Sequence, residues 1–361
     1  MRFQPFLASF LPLLAVLLAA CGAGTEPTPA PPPEPLVVLS WAGYMPQSIL
    51  DAFEQEYAIP VQFLAYADQD EAIARIQAGE QLDVVILGDA YIPGAVEEGL
   101  LAELDFANIP NFRNLGPSFR DLAYDPENRH SIMIQWGTTG LVVRTDRLVQ
   151  PVTSWADLWN PAYAGRIGVW PYKEELIGIA LKSLGYPLTS EDPGQLQAAE
   201  EKLLQLRKNV FLLDPNLPTG ASFLQDDQTV MIYGWSYDAM QAQKEVAEIT
   251  YVLPAEGTMI WTDSVTVPAN SARQEDAELF INFLLRAEIS AQLVNELWIP
   301  SPNEAARSFI KPEILSNLLV YPSLDTLKQA EFYSVASEET QKRYDEIWQR
   351  FLAAEGPGPR P

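Results

Sequence analysis

The chain has 361 residues, a formal net charge of −25, one cysteine and one histidine. That acidity disfavours nucleic acid and attracts cations, although solubility alone also accounts for an acidic exported chain. Cys21 has no second cysteine to pair with, and the lone His130, in Asn-Arg-His-Ser, leaves no His-rich metal site; no metal centre and no cofactor are expected.

In chain order, Arg2 is followed by an apolar run that ends Leu18-Ala19-Ala20-Cys21, the parts of a secretory signal. The ending looks like a bacterial lipobox, so 1–20 reads as a lipoprotein signal peptide with Cys21 as the lipidated residue. An ordinary signal with a chance cysteine, or a signal-anchor helix, is the alternative. Residues 21–35 form the lipidated start and a Pro-rich linker, Gly22 to Pro35, suited to polyproline II. A Gly/Pro-rich tail, 355–361, reads as disordered, and the folded length between suits two lobes better than one core.

Leu36 to Ser40 reads as a buried strand, Pro46 to Tyr57 as a helix with Ile49, Leu50, Phe53 and Tyr57 on one face, and Val61 to Ala65 as a second strand. Asp70 to Ala78 is a helix stopped by Gly79, and Asp83 to Leu87 a near-continuous apolar strand. This rhythm predicts a parallel sheet with right-handed crossovers, with ligands beyond the carboxyl ends of its strands. Trp41 to Tyr44 and Gly88 to Tyr91 fall there. A second block from Arg144 carries helices near Leu176 to Leu184 and Asp192 to Arg207 and a strand at Thr229 to Tyr233. Strands at Ile249 to Leu253 and Ser264 to Val267 and a helix at Ala277 to Leu285 follow. There is no Gly-rich phosphate loop and no internal repeat.

Eight segments in this order resemble the bacterial polyamine-binding proteins, the extracellular solute-binding subunits of spermidine/putrescine ABC transporters, over roughly 36–350. They are Ser40-Trp-Ala-Gly-Tyr44, Asp83-Val-Val-Ile-Leu87, Gln135-Trp-Gly-Thr-Thr-Gly140, Thr153-Ser-Trp-Ala-Asp-Leu-Trp159, Gly234-Trp-Ser-Tyr-Asp238, Trp261-Thr-Asp-Ser264, Ile281-Asn-Phe-Leu-Leu-Arg286 and Pro300-Ser-Pro-Asn303. The resemblance implies an α/β, two-lobed clamshell of the periplasmic-binding-protein kind, each lobe a mostly parallel sheet flanked by helices, closing on ligand by a hinge. Lobe 1 would be 36–143 plus 255–299, and lobe 2 would be 144–254 plus 300–354. The partners it implies are a polyamine or similar organic cation and ABC permease subunits. The protein would be a monomer, lipid-anchored in the periplasm or on the outward face of the cytoplasmic membrane.

A polyamine needs carboxylates for its ammonium ends and aromatic walls for its methylenes. Carried over residue by residue, the resemblance implies Trp41 and Tyr44 as a wall and a phenol, the alternative being core packing. It implies Glu175 as a second-lobe carboxylate, or else a first-turn glutamate serving a helix dipole. Trp235 and Asp238 match the putrescine-preferring members; Asp238 as a helix cap is the alternative. Trp261 and Asp263 precede an apolar strand, where a carboxylate is expensive unless it meets a cation; a solvated loop aspartate is the alternative. Departures are Gly43, where the family usually has an acidic residue, Gly88 or Ala90 at an aromatic or serine position with Asp89 adding a carboxylate nearby, Tyr172 at an aspartate, and Tyr333 near a late glutamine. The expected function is capture of putrescine or spermidine for an importer, without catalysis. The alternatives are another small organic cation or osmolyte on the same fold, and a hydrolase, for example a glycosidase, using Asp238 and Asp263 as acid and base.

Overall fold

The computed structural model describes Met1, residues 34–332 and residues 336–357. The signal segment, Cys21, most of the linker, Tyr333 and the end of the tail lie outside them. The expected rhythm opens the fold: β1 (Leu36–Trp41), α1 (Gln47–Tyr57), β2 (Val61–Tyr66), α2 (Gln69–Gln77) and β3 (Val84–Gly88). Local chemistry sets the ends of α2. The Asp68 carboxylate accepts the Glu71 N–H at 2.8 Å, and Gly79 takes φ +75 just past the last turn.

After α3 (Ile92–Glu97) comes β4 (Ser131–Arg144), a 14-residue strand buried along its whole length. The next elements are β5 (Ile167–Val169), α4 (Lys173–Ser183), α5 (Pro193–Leu206), β6 (Val210–Leu212), α6 (Ala221–Gln225), β7 (Met231–Trp235), α7 (Ser236–Gln243) and β8 (Ile249–Val252). Then follow β9 (Met259–Thr266), α8 (Gln274–Leu284), α9 (Ala287–Leu297), α10 (Pro312–Leu315), α11 (Leu324–Leu327), β10 (Glu331–Phe332) and α12 (Glu338–Ala353).

The strands form one ten-stranded sheet whose path is β2-β1-β3-β9-β4-β7-β5-β6. At one end β1 runs parallel to β2 and β3; at the other β5 runs parallel to β6 and β7. β9 and β4 join the two groups through antiparallel ladders. The fold is therefore the expected α/β clamshell of two lobes flanked by helices, but the sheet is one mixed sheet, parallel at its two ends and antiparallel through β9 and β4, rather than a separate mostly parallel sheet in each lobe.

The two largest apolar cores among the described residues lie along this sheet. The first gathers Leu36, Phe53, Ile86 and Phe280, with Ile132 and Ile134 of β4 and Val265 of β9. The second gathers Trp155, Trp170, Leu181, Phe211 and Phe351, with Leu141 to Val143 of β4 and Met259 of β9. The chain thus passes from core to core within β4 and within β9. Ala306, Ile310, Ile314 and Val320 pack on Ala291 and Val294 of α9, so this stretch leans on the helices of the first core, whereas Tyr344, Ile347 and Phe351 of α12 join the second. The reason is the same in each case: an apolar face is buried against the nearest unfilled one, regardless of where the chain crosses.

Candidate ligand-binding site

The carboxyl ends of β1, β3, β5 and β7 and the middle of β9 converge on a cavity of about 400 Å³. Its size is that of a small-molecule site, and its position beyond the strand ends is where such sheets bind ligands. Trp41, Tyr44, Asp89, Tyr172, Glu175, Trp235, Trp261 and Asp263 all line it. Asp238 does not.

Asp263 is a carboxylate of the cavity held in place by a hydrogen bond. It lies on β9, 6% exposed, and its Oδ2 accepts the Tyr44 hydroxyl at 2.7 Å. Burial pushes it up to about 6, while hydrogen bonds from Tyr44 and Trp41 favour its charged form. Gly88 of β3 stands opposite Asp263 in the ladder, so Asp89, one residue on, stands opposite Thr262, whose carbonyl accepts its N–H at 3.2 Å; it lines the cavity and is also 6% exposed. Burial and then the charge of Asp263 push Asp89 up to about 7. At the second lobe Glu175 sits in the first turn of α4, its Oε2 sealed from solvent with no hydrogen-bond partner. Burial and then Glu174 push it up to about 8.

Aromatic rings connect these ends. Trp41 meets Tyr172 edge-on at 5.9 Å across the two lobes, Tyr172 stacks on Trp170 at 6.2 Å, and Trp170 stacks on Trp235 at 5.6 Å. Trp261 completes the wall. Its ring lies so close to the β4 backbone that a Cβ on Gly137, its ladder partner, would come within 2.3 Å of it. Among the described residues lining the cavity the one basic side chain is Lys173, held by Asp345 at 2.7 Å and Glu174 at 3.6 Å. A cavity with several partly desolvated carboxylates and aromatic faces has the chemistry to hold an organic cation.

Asp238 has the other role weighed for it. It lies in the first turn of α7, fully buried, and its oxygens accept Thr219 Oγ1 at 2.6 Å, the Gly220 N–H at 2.8 Å and the Trp235 N–H at 3.1 Å. It caps the helix that presents Trp235 and Tyr237 to the cavity. Gly43 also has a physical reason for lacking a carboxylate: its φ is +73, and a Cβ there would stand 2.9 Å from Pro218. Ala90 and Gly88 line the cavity without a polar side chain, Asp89 lying between them.

Tyr91 lines the site, as expected from its place just past β3, whereas Trp170, Glu174 and Tyr237 line it and were not singled out from the sequence. The three-residue β5 gave no periodicity; had it been read as a strand, the same strand-end rule would have placed Trp170 at the crevice.

Comparison with known proteins bears on this geometry. Residues 80–330 match the family described as bacterial extracellular solute-binding protein. Over 321 residues, 88% of this chain and 91% of the relative, the sequence is 31% identical to the spermidine/putrescine-binding periplasmic protein of Escherichia coli strain K12. It is 28% identical to a putrescine-binding periplasmic protein of Pseudomonas aeruginosa, covering 93% of this chain and 96% of that one. A solved structure, the putative spermidine/putrescine ABC transporter from Listeria monocytogenes, superposes with a TM-score of 0.83 at 27% identity, covering 89% of this chain and 99% of the other.

Proposed function

The chain belongs to the bacterial extracellular solute-binding proteins, in the branch of the spermidine/putrescine-binding proteins of ABC transporters, and we propose that it captures a di- or polyamine in the cavity between its lobes. This family binds solutes for transporters and does not transform them. The observation that carries the amine reading is the pairing of Asp263 with Tyr44 in a cavity walled by Trp41 and Trp261. One ammonium group sits at Asp263 and Asp89, a second at Glu175, and the methylenes lie along the indoles. Lobe 1 carries the first core with the 306–320 stretch, lobe 2 the second core with α12, and β4 and β9 are the hinge.

The departures at Gly43 and Tyr172 support a second reading on the same fold, another small organic cation or osmolyte. The hydrolase reading loses its pair, because Asp238 lies outside the cavity that Asp263 lines. A melting-temperature panel separates the first two. Putrescine, cadaverine, spermidine or spermine at 100 times its dissociation constant stabilises the fold by about 2.7 kcal/mol, readily seen in a melting curve. No shift with any of the four, and a shift with another cation, moves the assignment to the second reading.

Delivery to permease subunits and attachment through lipidated Cys21 complete the proposal. The Leu-Ala-Ala-Cys ending and the Pro-rich spacer support the anchor. Among the described residues no helix is long and apolar enough to cross a membrane.

A further inference from the structure

The carboxylates that α4 and α12 give to the cavity are not equally free. Glu174 and Glu175, in the first turn of α4, and Asp345 of α12 all line it. Glu175 has an Oε2 without a partner and, among the described residues, no ion pair. Glu174 and Asp345 share a cation that the chain itself supplies: the Lys173 Nζ lies 2.7 Å from Asp345 Oδ1 and 3.6 Å from Glu174 Oε1. The side chains of Asp345 and Glu174 are 60% and 41% exposed, whereas Asp263 is buried, so this ion pair stands at the mouth of the cavity. Tyr172, just before Lys173, adds no charge there, its ring being stacked on Trp170. Of the other acids lining the cavity from α2, Asp68 is engaged as the helix cap and Asp70 is exposed. A diamine meets this layout with one ammonium group at Asp263 and one at Glu175. A longer amine carries a further ammonium group past Glu175 to the mouth, where an ammonium group already sits.

We propose that Lys173 is a specificity-determining residue, whose tethered ammonium group fills the Glu174–Asp345 position at the mouth and thereby restricts the cavity to diamines over tri- and tetraamines. This rests on the amine-binding reading. A lysine ammonium is a compact point charge with three N–H donors, the same chemistry as the terminal ammonium of an alkylamine. Held by the chain, it competes for the two carboxylates at an effective concentration on the order of millimolar, and it repels a second cation placed beside it. Glu175 is left without an internal cation, so the second ammonium group of a diamine keeps its partner. The ion pair also links α4 to α12, both packed in the second core. A purely structural link would move stability and leave the order of ligands as it is.

The test is calorimetry of the purified protein with putrescine, cadaverine, spermidine and spermine. It compares the wild type with Lys173→Gln, Lys173→Arg and the double variant Lys173→Gln/Glu174→Gln. The wild type binds a diamine more tightly than spermidine or spermine. Lys173→Gln raises the spermidine-to-putrescine affinity ratio roughly 5-fold, the size of one partly exposed ion pair. Lys173→Arg keeps the wild-type order, and neutralising Glu174 as well takes back most of the gain. An unchanged ratio in Lys173→Gln overturns the proposal while leaving amine binding standing, and so does a wild type that binds spermidine more tightly than both diamines. A gain kept in full by the double variant overturns the assignment to this ion pair. No binding heat from the wild type with any of the four amines overturns the amine reading itself and the selectivity with it. Should Lys173→Gln fail to fold, the wild-type order of affinities still decides.

Discussion

Two aspartates, each close to a tryptophan in a short motif, end in opposite roles. Asp238 has its oxygens taken by Thr219, Gly220 and Trp235, whereas Asp263 is met by Tyr44 and Trp41 and turns toward the cavity. The sequence marks both as carboxylates in company with aromatics, but which oxygens are already satisfied depends on backbone N–H groups brought in from elsewhere. Asp263→Asn therefore leaves a seated ammonium group unpaired, at about 2–5 kcal/mol, a loss of affinity of roughly 30-fold or more, with the unliganded melting temperature nearly unchanged. Asp238→Asn does the reverse, costing about 1–3 kcal/mol of stability with a smaller effect on affinity. Calorimetry and melting curves on both variants check the contrast; equal affinity losses would remove the distinction. Glu175 gives a pH test. An unfolded glutamate titrates near 4.5 and the folded one at about 8, so between these values the native state binds more protons than the unfolded and loses stability as pH rises. Glu175→Gln thus raises the melting temperature of the free protein at pH 8 by about 2–4 °C per kcal/mol relieved and gives no gain at pH 4. A gain of the same size at both pH values would contradict it.

At the scale of elements, the strand-helix rhythm from Leu36 to Leu87 was legible because β1 and β3, the largely buried strands that frame it, are near-continuous apolar runs. β4 was not. It carries Gln135, Gly137, Thr138 and Thr139 between apolar ends, with neither alternation nor an unbroken apolar run, although all of it is buried. β5 and β6, three residues each, were too short for any period. Missing β4 hid a glycine tied to the wall of the site. Gly137→Ala drives a methyl into the Trp261 ring, and overpacking of this kind costs about 1–3 kcal/mol. Because the displaced ring walls the cavity, the expected readout is a lower melting temperature together with weaker amine binding, and a variant with wild-type affinity would show that Trp261 does not touch the ligand.

For the whole molecule, length and family motifs pointed to two lobes, and the sheet shows them joined through strands that the motifs only partly sampled. The acidic balance suits a cation carrier, though most of its carboxylates lie away from the cavity. The proposed lipid anchor is tested on the chain as a whole. Cys21→Ser is expected to abolish labelling by a radioactive fatty acid and to release the protein from the membrane fraction or leave it unprocessed. Equal labelling of mutant and wild type would exclude Cys21 as the lipid site. The continuity of β4 and β9 through both cores has a further consequence for anyone who would take the molecule apart. Neither half owns a complete sheet, since each borrows a stretch of the same two strands from the other. The halves are thus not modules joined by a cord but two ends of one fabric, and any chain cut or foreign insertion between them unravels both.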